Sequence, residues 1–469
     1  MLFNTLIFLL IFPLLFGIHW AIPARWNQVR KVFLILVSYL LYMNFKPAFA
    51  LVLLGVTLVT YWGGHFLEFE KLKVRRKRLA WLFALLGLLP LLVFKYYNFI
   101  NESISEGLSA IGLQFSLSGL NWAVPVGISF FTFQAVGYML DVYHKRIRGE
   151  KDFVDYVLFV SFFPQIASGP ISKASELLPQ IKEERIFNYA QAVSGLRYLL
   201  WGMFLKVALA DRTGIYVDTV FSEYTKFSGL GCFIGSLLYS VQIYADFAGY
   251  SLMAVGIGKT LGFDLINNFK RPYFSVSITD FWRRWHVSLS RWLKEYVYIP
   301  MGGSRCSKLR NYWNIFVTFL VSGIWHGANW TFIVWGILHG VCQITEKAFG
   351  WNKKDYKGLA RLGRILLTFL IVTIAWTIFR SPSIEETFSY FARYASTSGR
   401  LIAEGSTLVY ILMSLIPLVA YEILAEFFSA AYSKLYGKQW LRWAAYIGIF
   451  TLLLLIGVFD GSSFIYVSF

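Results

Sequence analysis

Residues 311–345 read NYWNIFVTFLVSGIWHGANWTFIVWGILHGVCQIT, thirty-five consecutive positions without Asp, Glu, Lys or Arg. As a straight α-helix this run would be about 52 Å long, too long for one crossing of a ~30 Å hydrocarbon core and too short for two. Basic residues flank it on both sides. The run therefore predicts two half-length helices that meet inside the protein near Gly327–Asn329, with His326 at the break.

The composition of the whole chain is typical of a membrane protein. Of 469 residues, 57% are hydrophobic and only 15% are charged, against about 25% charged in an average soluble domain. Apolar stretches follow one another from Leu2–Trp20 onward, and no basic residue precedes the first, so we expect a span there rather than a cleaved signal. We predict an all-α polytopic membrane protein with about 10–12 transmembrane helices.

The net charge of +18 does not indicate nucleic-acid binding. Lys and Arg lie in short connections between apolar runs, as the positive-inside rule expects of cytoplasmic loops, and do not form one basic face. Basic connections at 21–31, 67–79 and 144–153 alternate with connections poor in Lys and Arg, which predicts an external N-terminus. The basic connection 433–442 then predicts that the tail 460–469 is external as well.

Two further segments depart from a simple pattern of spans. Residues 153–171 are apolar but contain Pro164, Gly169 and Pro170, and irregular backbone at membrane depth needs surrounding protein, so we expect a re-entrant segment. Residues 259–310 contain ten Lys or Arg against three Asp or Glu, mixed with aromatic residues, which is typical of a cytoplasmic interfacial region. Other spans are expected near 192–210, 229–258, 365–379, 406–432 and 443–459.

The histidines are the strongest candidates for chemistry. For His19, His65 and His144 we favour interhelical hydrogen bonding, the common role of a lone membrane histidine. His326 differs because small residues and two tryptophans surround it in the middle of the uncharged run. Ionisable groups at such depth cost about 2.5–3.5 kcal/mol or more and usually mark function. His339 lies in the same segment, and we expect it to be structural.

Several motifs resemble those of one family. FWRRWHVSLSRWL at 281–293, followed by YIPMGGS at 298–304, resembles the signature of the membrane-bound O-acyltransferase (MBOAT) family. Within that family it is most similar to the alginate and peptidoglycan O-acetylation membrane proteins and the teichoic-acid D-alanylation membrane protein. GIWHG at 323–327 resembles the active-site histidine motif. FPQIASGPI at 163–171 and YADFAGYS at 244–251 also match.

The resemblance implies the fold and the reaction class. It implies one MBOAT transmembrane domain, residues 1–469, in which spans, re-entrant helices and interfacial helices surround a central catalytic funnel. Residues 1–90 would be N-terminal helices, 90–345 the core with the motifs, 346–459 C-terminal helices and 460–469 an external tail. The reaction would be acyl transfer from a cytosolic thioester, normally acetyl-CoA, at the bacterial inner membrane, without a bound cofactor or metal.

The family also implies roles for particular residues. His326 matches the catalytic histidine, and His286 matches a second polar position that is histidine or asparagine in the family. Two imidazoles can polarise the acceptor hydroxyl and the thioester carbonyl. The other predicted substrate-binding residues are Trp282, Arg283, Trp285, Arg291, Trp325, Asn329 and Asp246. The predicted partners of the nucleotide phosphates are Arg271, Arg283, Arg284, Arg291, Lys308 and Arg310.

The Asp246 motif departs from the family pattern. The family has Phe-Asp-Phe-Ser where this chain has Ala245-Asp246-Phe247-Ala248. The departure weakens both alanine positions as site candidates, but the aspartate is retained.

The last residues of the sequence, FIYVSF at 464–469, form a short aromatic tail. Such tails also occur in interfacial aromatic belts. This one resembles a terminal aromatic-Tyr-aromatic motif of the same branch, which a small companion protein supplies in the D-alanylation system. The resemblance implies that Tyr466 is a covalent acyl acceptor. A phenol has a pKa of ~10, close to ~8.5 for a thiol, so an aryl ester keeps much of the transfer potential of a thioester.

Three functional hypotheses follow. The first is an enzyme that passes an acetyl group from acetyl-CoA to Tyr466, from which a periplasmic SGNH-type O-acetyltransferase or similar protein delivers it to an exported polysaccharide or peptidoglycan. The second is D-alanyl transfer from a carrier-protein thioester to teichoic acid, against which the built-in tail motif counts. The third is a transporter without covalent chemistry, for which intramembrane carboxylates such as Asp246 would line a pathway.

Overall fold

A computed structural model describes residues 3–113 and 117–459. Helices dominate the described residues, and the only β-type pairing found among them is an isolated bridge between Phe227 and Arg400. The predicted all-α membrane architecture is confirmed. The contacts divide the chain into two compact units, and each is described by itself.

The first unit comprises Ile7–Gly195 and Ala254–Ile266. Within it His19 Nε2 lies 3.2 Å from the carbonyl oxygen of Leu261, so this histidine is a hydrogen-bonding residue, as predicted. The α-helices here, the first of which begins at Leu6, are Leu6–Ala21, Asn27–Met43, Phe49–Phe69, Lys73–Leu91, Tyr97–Ala110, Ile128–Tyr143, Phe153–Ser161, Phe163–Ile166 and Ala174–Lys182.

The segment predicted to be re-entrant is broken into short helices. Phe153–Ser161 has nine residues and Phe163–Ile166 has four, so neither reaches even half of a ~30 Å core at ~1.5 Å per residue. Both are buried within the protein, which is the shielding that such a break requires. The re-entrant path itself stays a prediction.

The second unit contains Leu196–Met253 and the chain from Asn267 onward. The helix Tyr189–Met203 begins in the first unit and ends in the second, and the helix Gly229–Thr260 begins in the second and ends in the first. Two of its helical segments, Phe204–Ala210 and Lys294–Tyr298, are π-helical. The further α-helices are Asp211–Ser222, Ile278–Arg284, Val287–Leu293, Lys308–His326, Trp330–Ala348, Gly358–Arg380, Ile384–Arg393, Gly405–Phe427, Ser429–Gly437 and Gln439–Ile456.

Among the described residues, seven helices are long and apolar enough to cross a membrane, or eight if the bent pair Leu6–Ala21 and Ala24–Met43 is one span. The sequence prediction was about 10–12. The number of candidate spans is lower because some helices are too short or too polar to count, such as Ile128–Tyr143 with sixteen residues. The seven are Phe49–Phe69, Lys73–Ala110, Tyr189–Ser222, Gly229–Thr260, Gly358–Arg380, Gly405–Phe427 and Gln439–Ile456.

The uncharged run folds as a helical hairpin with its turn where the sequence predicts it. The helix Lys308–His326 ends at the histidine, and Trp330–Ala348 begins after Asn329, whose side chain accepts a hydrogen bond from Thr331 N at 2.9 Å. The expected half-length of the arms was wrong. Each has 19 residues, or about 28 Å, because the helices extend into the charged residues that flank the run.

Two glycines allow the arms of the hairpin to touch. A Cβ atom added at Gly336 would lie 2.5 Å from the carbonyl oxygen of Phe319, and one added at Gly323 would lie 2.3 Å from that of Phe332. Real Cβ atoms do not approach backbone oxygens so closely. Small residues at helix crossings permit this backbone contact in membrane proteins.

We expect Gly336→Ala to destabilise the protein by about 1–3 kcal/mol, because the added methyl group forces the two arms apart. The matched control is Gly363→Ala, a helical position with nothing within 4 Å of the added Cβ. There the same substitution should be neutral or stabilising by up to ~1 kcal/mol through helix propensity. Thermal unfolding of the detergent-solubilised variants measures both, and an equal response would contradict the close packing.

Candidate active site

His326 lies at the tip of the hairpin, as the last residue of its helix. Its side chain is buried, with a residue exposure of 2%. Its ring centroid lies 4.9 Å from that of Trp335 and 5.3 Å from that of Phe379, both in edge-on geometry. The next residue, Gly327, has an extended backbone that ends the helix. Aromatic rings thus surround this imidazole in a place where the backbone is irregular.

His286 lies between two short helices in a left-handed backbone conformation, with φ of 43°. Asn268 holds this turn: its carbonyl oxygen accepts from Val287 N at 3.0 Å and its side-chain oxygen accepts from Ser288 N at 3.1 Å. The imidazole is fully buried, and burial lowers its pKa to about 3, so it is neutral at physiological pH. Sequence reasoning gave Asn268 no role in positioning His286.

The structure brings His286 and His326 together around Trp325. The ring of Trp325 lies 5.8 Å from that of His286 and 5.0 Å from that of His326. Both histidine side chains are buried, with exposures of 0% and 2%, and both contact aromatic rings. Two buried imidazoles thus contact the same tryptophan, and buried imidazoles are suited to proton transfer and to polarising a carbonyl.

The other predicted tryptophans belong to the wall of this enclosure. Trp282 donates through Nε1 to Nδ1 of His339 at 3.3 Å, which gives that histidine the hydrogen bond expected of a structural residue. Trp285 is fully buried and packs against Trp376, with ring centroids 4.9 Å apart. Trp335 is fully buried and touches both His326 and His339.

Asp246 is engaged in a buried ion cluster. Nζ of Lys206 lies 2.6 Å from Oδ1 of Asp246 and 2.7 Å from Oδ1 of Asp211, and all three side chains are buried. Lys206 belongs to the π-helical segment 204–210, and such segments are frequent at functional sites. Asp246 adjoins Phe247, whose ring lies 4.7 Å from that of His286. The carboxylate of Asp246 is thus paired with Lys206 near His286, and its role in substrate binding stays a prediction.

For three predicted residues, the placement or the contacts found are as follows. Arg283 is exposed, and Arg291 lies 3.8 Å from Glu295 in an (i, i+4) pair. Asn329 caps the second arm of the hairpin and donates through Nδ2 to the carbonyl oxygen of Pro382 at 2.7 Å. Substrate binding by these three residues stays a prediction. Tyr466 lies outside the described residues.

A basic cluster, which we call the arginine cluster, forms around Glu426. The carboxylate of Glu426 binds Arg271 at 2.8 Å, Arg284 at 3.0 Å and Arg361 at 3.3 Å. Arg284 also contacts Asp280 at 3.1 Å. Sequence reasoning named Arg271 and Arg284 but missed Arg361, because no local pattern links it to residues far away in the sequence.

A cavity of about 510 Å³ lies next to the segment that follows Phe379. Its wall includes Arg380, the residue after Phe379, and Pro382, which accepts the hydrogen bond from Asn329 at the hairpin tip. The cavity and the hairpin tip are thus linked through this hydrogen bond. The cavity is lined by Asp218, Thr219, Phe221, Ser222, Glu223, Tyr224, Arg380, Ser381, Pro382, Glu386 and Tyr390.

Comparison with known proteins gives consistent matches. The family model described as MBOAT, membrane-bound O-acyltransferase family, matches residues 141–380. The chain is 38% identical over 390 residues to the probable alginate O-acetylase AlgI of Pseudomonas syringae pv. tomato, covering 82% of this chain and 73% of that protein. It is 35% identical over 422 residues to the peptidoglycan O-acetyltransferase of Helicobacter pylori, covering 82% and 78%. It is 30% identical over 273 residues to the teichoic acid D-alanyltransferase of Bacillus subtilis, covering 54% and 68%.

We expect Lys206→Met to destabilise the protein by about 3–5 kcal/mol, because two buried carboxylates lose their cation. Adding Asp246→Asn to this variant should recover part of the loss, since one uncompensated charge is removed. The control is Asp218→Asn, whose carboxylate pairs with Arg380 at 2.6 Å but is mostly exposed, so little change is expected. Thermal unfolding in detergent measures all three. An unchanged melting temperature in Lys206→Met would contradict the buried cluster.

Proposed function

The chain belongs to the membrane-bound O-acyltransferase family, and on that premise we propose which acyl group it moves and where. We propose that it takes an acetyl group from cytosolic acetyl-CoA and passes it across the bacterial inner membrane for O-acetylation of an exported polysaccharide or of peptidoglycan. The observation that supports this best is the convergence of His286 and His326 on Trp325 in a buried aromatic enclosure.

The proposed chemistry is attack of a hydroxyl on the thioester. The acceptor oxygen forms a bond to the acetyl carbon while His326 takes the hydroxyl proton; the C–S bond then breaks, and the thiolate leaves as the thiol after receiving that proton. Complete transfer of a phenol proton to an ordinary imidazole beforehand would span ~3.5 pKa units, or about 5 kcal/mol. His326 therefore accepts the proton during the attack. The neutral His286 is suited to orient the thioester or the hydroxyl.

The arginine cluster supports binding of an anionic donor. Its three guanidinium groups face two carboxylates, Glu426 and Asp280, so it has a net charge of +1. Arginine is the residue best suited to bidentate recognition of phosphate. Arg271 and Arg284 belong to the strongly basic connection 259–310, which the positive-inside rule assigns to the cytoplasm. The phosphates of acetyl-CoA fit this location and this charge.

The end of the described chain supports a relay through Tyr466. The carbonyl oxygen of Ile456 accepts from Arg212 Nε at 2.6 Å, and Val458 N donates to the carbonyl oxygen of Val207 at 3.1 Å. Tyr466 follows Phe459 by seven residues, and seven extended residues reach about 23 Å. The last described residues are therefore held at a known place on the second unit, and the acceptor tyrosine has a short tether.

That place is only a few side chains from the histidines. Val207 follows Lys206, which binds Asp246 at 2.6 Å, and the neighbouring Phe247 contacts the ring of His286. A reach of about 23 Å covers several side chains of this size. The tether length is thus compatible with acetyl transfer to a tyrosine of the same chain.

The cavity next to the hairpin tip supports an uncharged acceptor hydroxyl. Its lining has three carboxylates, Asp218, Glu223 and Glu386, against one cation, Arg380. A net negative entrance disfavours the approach of a polyanionic saccharide through like-charge repulsion, whereas a tyrosine hydroxyl meets no such barrier. A second protein, such as a periplasmic SGNH-type O-acetyltransferase, would then transfer the acetyl group from the tyrosine to the polymer.

The two alternative functions are less well supported. The relatives named as D-alanyltransferases match a smaller part of the chain than those named as O-acetylases, 54% against 82% for the examples above. A transporter was expected to place carboxylates such as Asp246 along a pathway. Asp246 is buried in an ion cluster with Lys206 and Asp211, and the matched relatives are named as enzymes that transfer acyl groups.

We expect purified protein incubated with isotopically labelled acetyl-CoA to acquire one acetyl group on Tyr466, detected by mass spectrometry of the C-terminal peptide. His326→Ala should lower the rate of labelling by about 100-fold or more, as expected for loss of a general base. His65→Ala, which removes a histidine of the first unit, is the control and should label normally.

Two results would contradict the proposal. Normal labelling of His326→Ala would remove His326 from the mechanism. Full acetylation of the surface polymer in cells that carry Tyr466→Phe would exclude the tyrosine relay while leaving acyl transfer itself intact.

A further inference from the structure

Trp335 has a buried indole N–H group without an acceptor. The residue is fully buried, and no hydrogen-bond partner for Nε1 is found among the described residues. Buried tryptophans usually find an acceptor for this group, and an unsatisfied buried donor costs about 1–3 kcal/mol. A phenylalanine would fill an apolar wall without that cost, so the N–H group needs an explanation.

The indole lies directly beside the proposed catalytic histidine. The ring centroids of Trp335 and His326 are 4.9 Å apart, with the planes at 83°. Trp335 also contacts His339 at 4.7 Å, but Nδ1 of that imidazole already accepts from Trp282. The unsatisfied donor thus belongs to a ring that contacts His326.

Two hydroxyl groups of the hairpin are also buried without a hydrogen-bond partner among the described residues. They are Oγ of Ser322 and Oγ1 of Thr331. Ser322 precedes His326 by four positions, and Thr331 precedes Trp335 by four, so each shares a helix face with the ring it precedes. Three unsatisfied polar atoms around one hairpin tip indicate a site for a polar ligand group.

We propose that Nε1 of Trp335 donates a hydrogen bond to the carbonyl oxygen of the acyl group during transfer. This inference rests on the proposed acyl transfer at His326. When the acceptor oxygen attacks the thioester carbon, the carbonyl oxygen gains negative charge, and it returns that charge as the C–S bond breaks. A fixed donor in a dry site stabilises this oxyanion without being rearranged. The indole proton stays on its nitrogen throughout.

A neutral donor suits this environment better than a charged one. A guanidinium or ammonium group at the same depth would be costly to bury without a counter-ion. The indole N–H group lacks a net charge, and its ring fills the aromatic wall with Trp376, whose centroid lies 5.8 Å away. Trp335 therefore combines packing with a directed dipole in one residue.

The test replaces only the N–H group. Genetic incorporation of β-(3-benzothienyl)alanine at position 335 keeps the bicyclic ring but puts sulfur in place of N–H, whereas Trp335→Phe also removes part of the ring. We measure acetyl transfer from acetyl-CoA in detergent, together with thermal unfolding. With the benzothienyl side chain, kcat should fall about 100- to 1,000-fold, as for loss of one oxyanion donor, while KM for acetyl-CoA stays within about threefold.

The melting temperature of the benzothienyl protein should match that of the wild type, because no hydrogen bond within the protein is lost. Near-normal kcat with the benzothienyl ring but reduced kcat in Trp335→Phe would overturn the proposal, since packing alone would then matter. A large drop in melting temperature would overturn it too, because the N–H group would have a structural partner. If His326→Ala keeps full activity, the proposed acyl-transfer site itself is wrong, which separates that failure from this one.

Discussion

The structure around His326 depends on the break between the two arms of the hairpin, whose backbone groups need partners within the protein. Asn329 caps the second arm and donates from its side chain to the carbonyl oxygen of Pro382, while aromatic rings lie around the buried His326. Close contact of the two arms through Gly323 and Gly336 holds the tip in place. His326 can therefore end a helix and still be buried among aromatic rings.

Charge is distributed in the second unit as the proposed direction of transfer requires. The arginine cluster is net positive and belongs to segments that the positive-inside rule assigns to the cytoplasm. The cavity next to the hairpin tip is net negative. An anionic donor and an uncharged acceptor are therefore favoured at different places in the second unit, which also contains both histidines. The buried cluster of Lys206, Asp211 and Asp246 contributes rigidity close to them.

The sequence predicted those features that depend on local patterns. The length of the uncharged run predicted the break beside His326, and the motif around His286 predicted its proximity to the site. Pairings between distant segments could not be predicted, because neither hydropathy nor loop charge determines which helix faces touch. Lys206 with Asp246, Arg361 with Glu426, and Trp282 with His339 are of this kind. The arm length was wrong for a related reason: charged residues at the open end of the hairpin continue the helices.

The left-handed backbone of His286 limits which side chains can stand there. At φ of 43° a Cβ atom is crowded, and histidine and asparagine are among the few residues with side chains that adopt this region often. The resemblance to the family implied histidine or asparagine at this position, and both tolerate such a backbone. The backbone conformation therefore restricts the side chains that this position accepts, independently of their chemistry. An aliphatic β-branched replacement would strain the backbone and destabilise the fold, in addition to any effect on turnover.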